Sequence, residues 1–136
     1  MKINLENIDL KSQKIIQKTT DDFFKNREIS LQTQVSFHFL TPLKIKILNK
    51  KYRRENRPTD VLSFPLWPNL KKAPKTTNVH LGDVFICPEI MKQNALSEQV
   101  SAEQELEKIV DHSLKHLIGK HHKWLASWWF LKILLW

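Results

Sequence analysis

The chain of 136 residues predicts an α+β fold, a small mixed β-sheet packed with helices, and three observations carry that expectation. Runs with helical spacing alternate with short runs of period two in the order β-α-β-α-β-β-α-α. No internal repeat or linker interrupts them, which predicts one domain over residues 1–136. The balance of 41% hydrophobic to 26% charged residues suits a globular chain with a real core and sets aside disorder, collagen-like repeats and disulfide scaffolds.

The elements follow in order. Over residues 9–25, Ile15, Ile16, Phe23 and Phe24 recur among lysines and aspartates at the spacing of an amphipathic helix. Val35, Phe37 and Phe39 then alternate with Ser36 and His38, the pattern of a half-buried strand. Thr41-Pro42 is a helix opening, with Thr as cap and Pro at the first helical position, and the helix is expected to end near Tyr52. Two strand-like runs, Asp60 to Phe64 and Leu81 to Cys87, flank a polar segment rich in Lys, Pro, Thr and Asn that reads as a loop. Pro88 closes the second strand, and residues 89–96 form a short helix. Ser101 with Gln104 is a capping-box signature at the head of a longer one, whose buried stripe is Leu106, Val110, Leu114 and Leu117.

Glycine is scarce: average usage of about 7% would give roughly nine or ten residues, yet only Gly82 and Gly119 occur. Each is expected where a side chain is excluded. Cys87, the sole cysteine, lies in the apolar run Val84-Phe85-Ile86-Cys87 and reads as a buried inert thiol, so no intrachain disulfide is available. The N-terminal residues Met1 to Asn7 are too polar for a signal peptide, and a reducing cytoplasm is the expected compartment. The apolar tail Trp124 to Trp136 carries four tryptophans but is shorter than the roughly 20 residues of a membrane span, so no membrane partner is expected; it reads as a C-terminal helix packed on the domain, the alternative being an exposed apolar patch for a partner or for self-association.

The densest chemistry is the run His112 to His122, which holds four of the six histidines. His112 and His116 are one helical turn apart, with Cβ atoms about 5–6 Å from each other, and both can reach one ion. They are out of phase with Val110 and Leu114 by about 200° at about 100° per residue, so they point away from the core. Gly119 can end the helix in a left-handed conformation and turn His122 back toward the same ion. Three imidazoles with one open position is the layout of a catalytic zinc site; the plainer alternative is a solvated, histidine-rich helix end. The metalloproteases with this ligand spacing carry a Glu base directly after the first His, and here Ser113 stands in that place, which argues against peptide hydrolysis.

Residues 44–57 hold Lys44, Lys46, Lys50, Lys51, Arg53, Arg54 and Arg57 against Glu55 alone, +6 of the chain's +8. Such focused charge attracts a phosphate backbone, and if it borders the histidines it makes a groove for nucleic acid.

These segments resemble the YbeY family of single-strand-specific endoribonucleases that act in ribosomal RNA maturation. The family's histidine motif, H-G-x-L-H-L-x-G-Y-D-H, is matched by H-S-L-K-H-L-I-G-K-H-H, in which His112, His116, Leu117, Gly119 and His122 agree. Ser113, Lys115, Lys120 and His121 depart from it. The motif Y-R-x-x-x-x-P-T-D-V-L-S-F-P is intact from Tyr52 to Pro65, and L-G-D-[IV]-x-I-C is matched from Leu81 to Cys87.

The resemblance implies an α+β domain that holds one zinc ion through His112, His116 and His122. It makes Arg53 and His112 catalytic, and the concentrated charge adds Lys50, Lys51, Arg54 and Arg57 to Arg53 as substrate-binding residues. Asp60, Asp83 and His121 are possible supports, and the implied partners are single-stranded RNA, ribosomal RNA and the small ribosomal subunit. Two other expectations stay open: a non-catalytic, metal-binding ribosome-assembly factor that keeps the fold and its RNA affinity, and a metal hydrolase of another substrate class.

Overall fold

Side-chain caps start most of the helices. In a computed structural model, which describes residues 2–29, 33–70 and 79–119, strand β1 (Lys2–Glu6) leads into helix α1 (Leu10–Asn26), whose cap Asp9 accepts from the Ser12 amide at 2.9 Å. Strand β2 (Thr33–Phe39) is followed by α2 (Pro42–Arg53), opened by Thr41 and Pro42 as expected. Strands β3 (Val61–Pro65) and β4 (Val79–Ile86) precede α3 (Pro88–Glu98) and α4 (Ala102–Leu117). The Ser101–Gln104 capping box of α4 is complete, with both bonds at 3.0 Å. Without glycine at their ends, α2 and α3 close on Arg54 and Gln99, each at a left-handed φ of 59°.

The four strands form one mixed sheet in the order β1-β2-β4-β3. β1 and β4 run parallel to β2, while β3 lies antiparallel to β4 at the edge. The β2–β4 register jumps from Gln34↔His80 to Val35↔Gly82, so Leu81 is the extra residue of a bulge. The sequence expectation had β4 starting at Leu81; it starts two residues earlier, because Val79 and His80 pair with Thr33 and Gln34.

Alternation along the strands sends side chains to opposite faces. On one face Val35, Phe37, Val84 and Ile86 pack against Phe23 and Phe24 of α1 and Leu106, Val110, Leu114 and Leu117 of α4, forming the main core. On the other, Ile45 of α2 packs with Leu62 and Cys87, joined by Leu48, Phe64 and Phe85. Cys87 is fully buried and free, as its apolar surroundings predict. Among the described residues no helix is long and apolar enough to cross a membrane. The tail Trp124 to Trp136, together with Lys120, His121 and His122, lies outside the described residues.

Candidate functional site

Helix α4 divides its residues as the periodicity requires. Leu106, Val110, Leu114 and Leu117 are buried and His112 is exposed, but His116 is half-buried and faces β3 rather than pointing away from the core as expected, because it continues the face of the buried Ile109 and Ser113. Ser113 faces inward and is buried, its hydroxyl donating to the Ile109 carbonyl at 2.7 Å. It is bound to its own helix and cannot replace the Glu base that the metalloproteases place after their first histidine. Lys115, where the family motif has Leu, lies one turn from Asp111 and pairs with it at 2.8 Å.

How near α4 comes to the sheet is set by Gly82, buried in β4 at φ +151°. A Cβ there would press on the Phe64 carbonyl oxygen and would stand 2.7 Å from Leu117 Cδ2. The sequence left a bulge or a close approach by substrate as reasons for this glycine. The bulge is next to it at Leu81, but the close approach is the protein's own helix and strand rather than a substrate. Gly119, at φ +99°, ends α4, its amide donating to the His116 carbonyl at 3.1 Å, and it packs on Pro68 and Asn69.

That close approach brings α4 onto β3. Ser63 pairs with Val84 and so projects to the α4 face, where its hydroxyl meets His116 Nδ1 at 2.5 Å. The next residue, Phe64, projects to the opposite face and stacks edge-on against Tyr52 at the end of α2, 5.2 Å between centroids. The histidine helix and the basic helix therefore meet adjacent residues of one edge strand from its two sides.

The basic residues lie at the α2 end and in the turn after it. Lys50, Lys51, Arg54 and Arg57 are exposed, and Arg53 is one-third exposed with its guanidinium 3.9 Å from Glu55. Arg57 makes the closer pair with Glu55, at 2.9 Å. The turn is held from beneath by the buried Asn49, which donates to the Arg57 carbonyl at 2.9 Å. Among the described residues no hydrogen bond or ion pair joins Arg53 to His112 or His116.

Asp60 and Asp83 go to different places. Asp60 accepts from Asn94 of α3 at 3.3 Å, and its carbonyl accepts from the Cys87 amide at 2.8 Å, so it fastens the start of β3 to α3. Asp83 lies on the α2 side of the sheet, 3.2 Å from His38 Nε2 and 3.9 Å from His80 Nε2. His80 also meets Ser36 at 3.3 Å, and His38 stacks on Phe85. Neither His38 nor His80 figured among the expected site residues; the alternation in β2 places His38 on that face, while His80 comes to it only through pairing with Gln34. Ser63 was missed as well. A polar residue between Val61 and Pro65, on the core-facing side of a strand, calls for a polar partner.

Two imidazoles on one helical face are what the described residues offer a metal. No group of three or more His, Cys, Asp or Glu gathers among them, and the third histidine of the pattern, His122, lies outside the described residues. Imidazole nitrogens suit a borderline-soft ion: one ring is exposed and the other has its Nδ1 against Ser63.

Residues 2–127 match the family model described as Endoribonuclease YbeY. The chain belongs to the YbeY family. Curated YbeY relatives, each named Endoribonuclease YbeY, include one from Thermotoga maritima, 32% identical over 88% of this chain and 67% of its own length. Another, from Thermotoga neapolitana, is 31% identical over 81% of this chain and 66% of its own. The chain thus spans about two thirds of these relatives, and a match from Alkaliphilus metalliredigens, at 39% identity, covers 57% of that protein. A solution structure from Thermotoga maritima superposes with a TM-score of 0.60 at 25% identity, covering 93% of this chain and 83% of the other. The described parts of the three YbeY motifs quoted from the sequence thus lie on β3, β4, α4 and the end of α2, elements that meet at the β3 edge.

Proposed function

We propose that this YbeY-family chain is a zinc-dependent endoribonuclease that cuts single-stranded RNA in ribosomal RNA processing and ribosome maturation, acting in the cytoplasm on the small ribosomal subunit. The observation that carries it is the meeting of two motifs on β3: His116 against Ser63 on one side of the strand, Tyr52 against Phe64 on the other. The relatives' shared name, Endoribonuclease YbeY, supports the reaction class.

His112, His116 and His122 would hold one zinc ion, which when bound would polarise a phosphate oxygen or lower the pKa of a water. The rest of the chemistry belongs to the chain. Arg53, free to turn from a long 3.9 Å contact with Glu55, clamps the scissile phosphate bidentately and offsets charge developing on it. Its pair with Glu55 is partly exposed and therefore weak, so a phosphate competes for the guanidinium successfully. Lys50, Lys51, Arg54 and Arg57 draw in the RNA backbone without reading its bases. Asp60 keeps β3 in register with α3, and Asp83 orders the histidines on the far side of the sheet. His121 stands beside the third ligand in sequence as a possible support.

Metal analysis of the purified protein, with cleavage of single-stranded RNA measured with and without chelator, tests this. The expected result is about one zinc per chain and cleavage that stops on chelation and in both Arg53→Ala and His112→Ala. Wild-type cleavage by those two variants would overturn it. Bound zinc with no cleavage would instead favour a non-catalytic assembly factor, which the Ser113 and His121 departures from the motif make the second reading. With Ser113 tied to Ile109, a peptide-cleaving metal hydrolase lacks its base.

A further inference from the structure

A ligand histidine must present the nitrogen that faces the metal as a lone pair, and in water the imidazole side chain favours the tautomer with its proton on Nε2. An acceptor at Nδ1 reverses that preference by holding the proton on the other nitrogen. His116 has a hydroxyl within reach that can take this role: Ser63 Oγ, 2.5 Å from Nδ1.

We propose that Ser63 is the positioning residue for His116: Nδ1–H donates to Ser63 Oγ, which fixes the ring's tautomer and rotation and leaves the lone pair on Nε2. The reverse bond, with the hydroxyl donating to Nδ1, would put the proton on Nε2 and abolish ligation there; a hydroxyl serves either direction, and metal binding at Nε2 favours the one in which Ser63 accepts. The placement is built into the fold. Ser63 is held by pairing with Val84 on a strand bonded to β4, so the acceptor is fixed before any metal arrives. The helix is held equally firmly, since Leu114 and Leu117, on either side of His116, are buried and Leu117 sits against Gly82. An acceptor on a strand and an imidazole on a packed helix pay little ordering entropy to meet.

The inference rests on His116 being a metal ligand, and its test separates the two ideas. The full chain is stripped of metal and titrated with zinc alone against a chromophoric competitor, and the His116 ring nitrogens are read by 15N NMR in the metal-free protein. Ser63→Thr and Ser63→Val are the informative pair: both are β-branched and suit a strand, and they differ only in whether the acceptor oxygen is there. Thr is expected to retain the Nδ1–H tautomer and wild-type affinity. Val is expected to shift His116 toward Nε2–H and to weaken zinc by about 10–100-fold, the usual effect of losing a residue that orients a ligand. Val that keeps both tautomer and affinity, in a chain where His116→Ala loses zinc, overturns the role of Ser63 and leaves the metal site standing. If His116→Ala itself binds zinc as the wild type does, the metal reading fails and the role of Ser63 fails with it.

Discussion

A single methyl group at position 82 would be felt through the whole site. At φ +151° an L-residue is strained, and its Cβ would press on the Phe64 carbonyl and on Leu117, 2.7 Å away. The carbonyl belongs to a paired strand and cannot yield, so Leu117 and the end of α4 must move. Gly82→Ala is expected to cost about 1–3 kcal/mol from overpacking and about as much again from backbone strain. Urea denaturation measures it, and a cost under about 1 kcal/mol would show that α4 has room to retreat. The same shift lengthens the Ser63–His116 contact, so zinc affinity should fall along with stability. Scarcity of glycine made this position conspicuous in the sequence, and the adjoining bulge was one of the reasons offered for it. What the sequence could not show is that the excluded neighbour is Leu117, because contacts between a helix and a strand 35 residues apart leave no local pattern.

Among the elements, the caps and the periodic stripes were legible because they depend on residues three or four apart. Thr41-Pro42, the Ser101–Gln104 box and the four buried residues of α4 all stand where the spacing puts them. The ladder partners were not legible. Which strand lies at the edge is decided by the order β1-β2-β4-β3, and with it whether Ser63 can meet a helix at all. Helix α4 also contains one residue that its amphipathic pattern leaves unexplained. Glu105 is 1% exposed, and its Oε2 has no hydrogen-bond partner, with Lys108 Nζ 3.5 Å away. Burial raises its carboxyl above the ordinary range, the neighbouring Glu98 carboxylate adds to this, and the Lys108 charge opposes both. Lys108 meanwhile holds Glu98 below that range. Because the folded state binds the Glu105 proton more tightly than the unfolded chain, the group's contribution to stability is whole below the ordinary carboxylate range and declines as pH rises through the raised value. Glu105→Gln, which keeps the shape without the charge, should match the wild type in acid and gain on it toward neutrality by about 1 kcal/mol, the scale of one unsatisfied buried polar group. Melting temperatures across that pH range check it. A variant that loses ground on the wild type as pH rises would mean that the Lys108 contact outweighs burial.

For the molecule as a whole, the question is what its concentrated charge does at the β3 edge. Six of the eight net positive charges fall within residues 44–57, and the fold confines them to α2 and its following turn, where Tyr52 meets Phe64. If Lys50, Lys51, Arg53, Arg54 and Arg57 each neutralise one RNA phosphate, binding should fall with salt with a log–log slope of about −3.5, at about −0.7 per contact on a single strand. Each substitution to Ala should then make the slope shallower by about 0.7, whichever of the five is changed. Arg57 is expected to give a smaller change of the same sign, since its 2.9 Å pair with Glu55 already offsets part of its charge. Cleavage should separate the residues that binding cannot. Lys50→Ala is expected to lose affinity while keeping its rate on saturating RNA. Arg53→Ala should lose a similar amount of affinity and, in addition, about 10²–10³-fold in kcat, the scale of removing one donor to a developing charge. Equal kcat for the two variants would reduce Arg53 to one more cation in the field, and the scissile phosphate would then have to be sought against the histidine side of β3 alone.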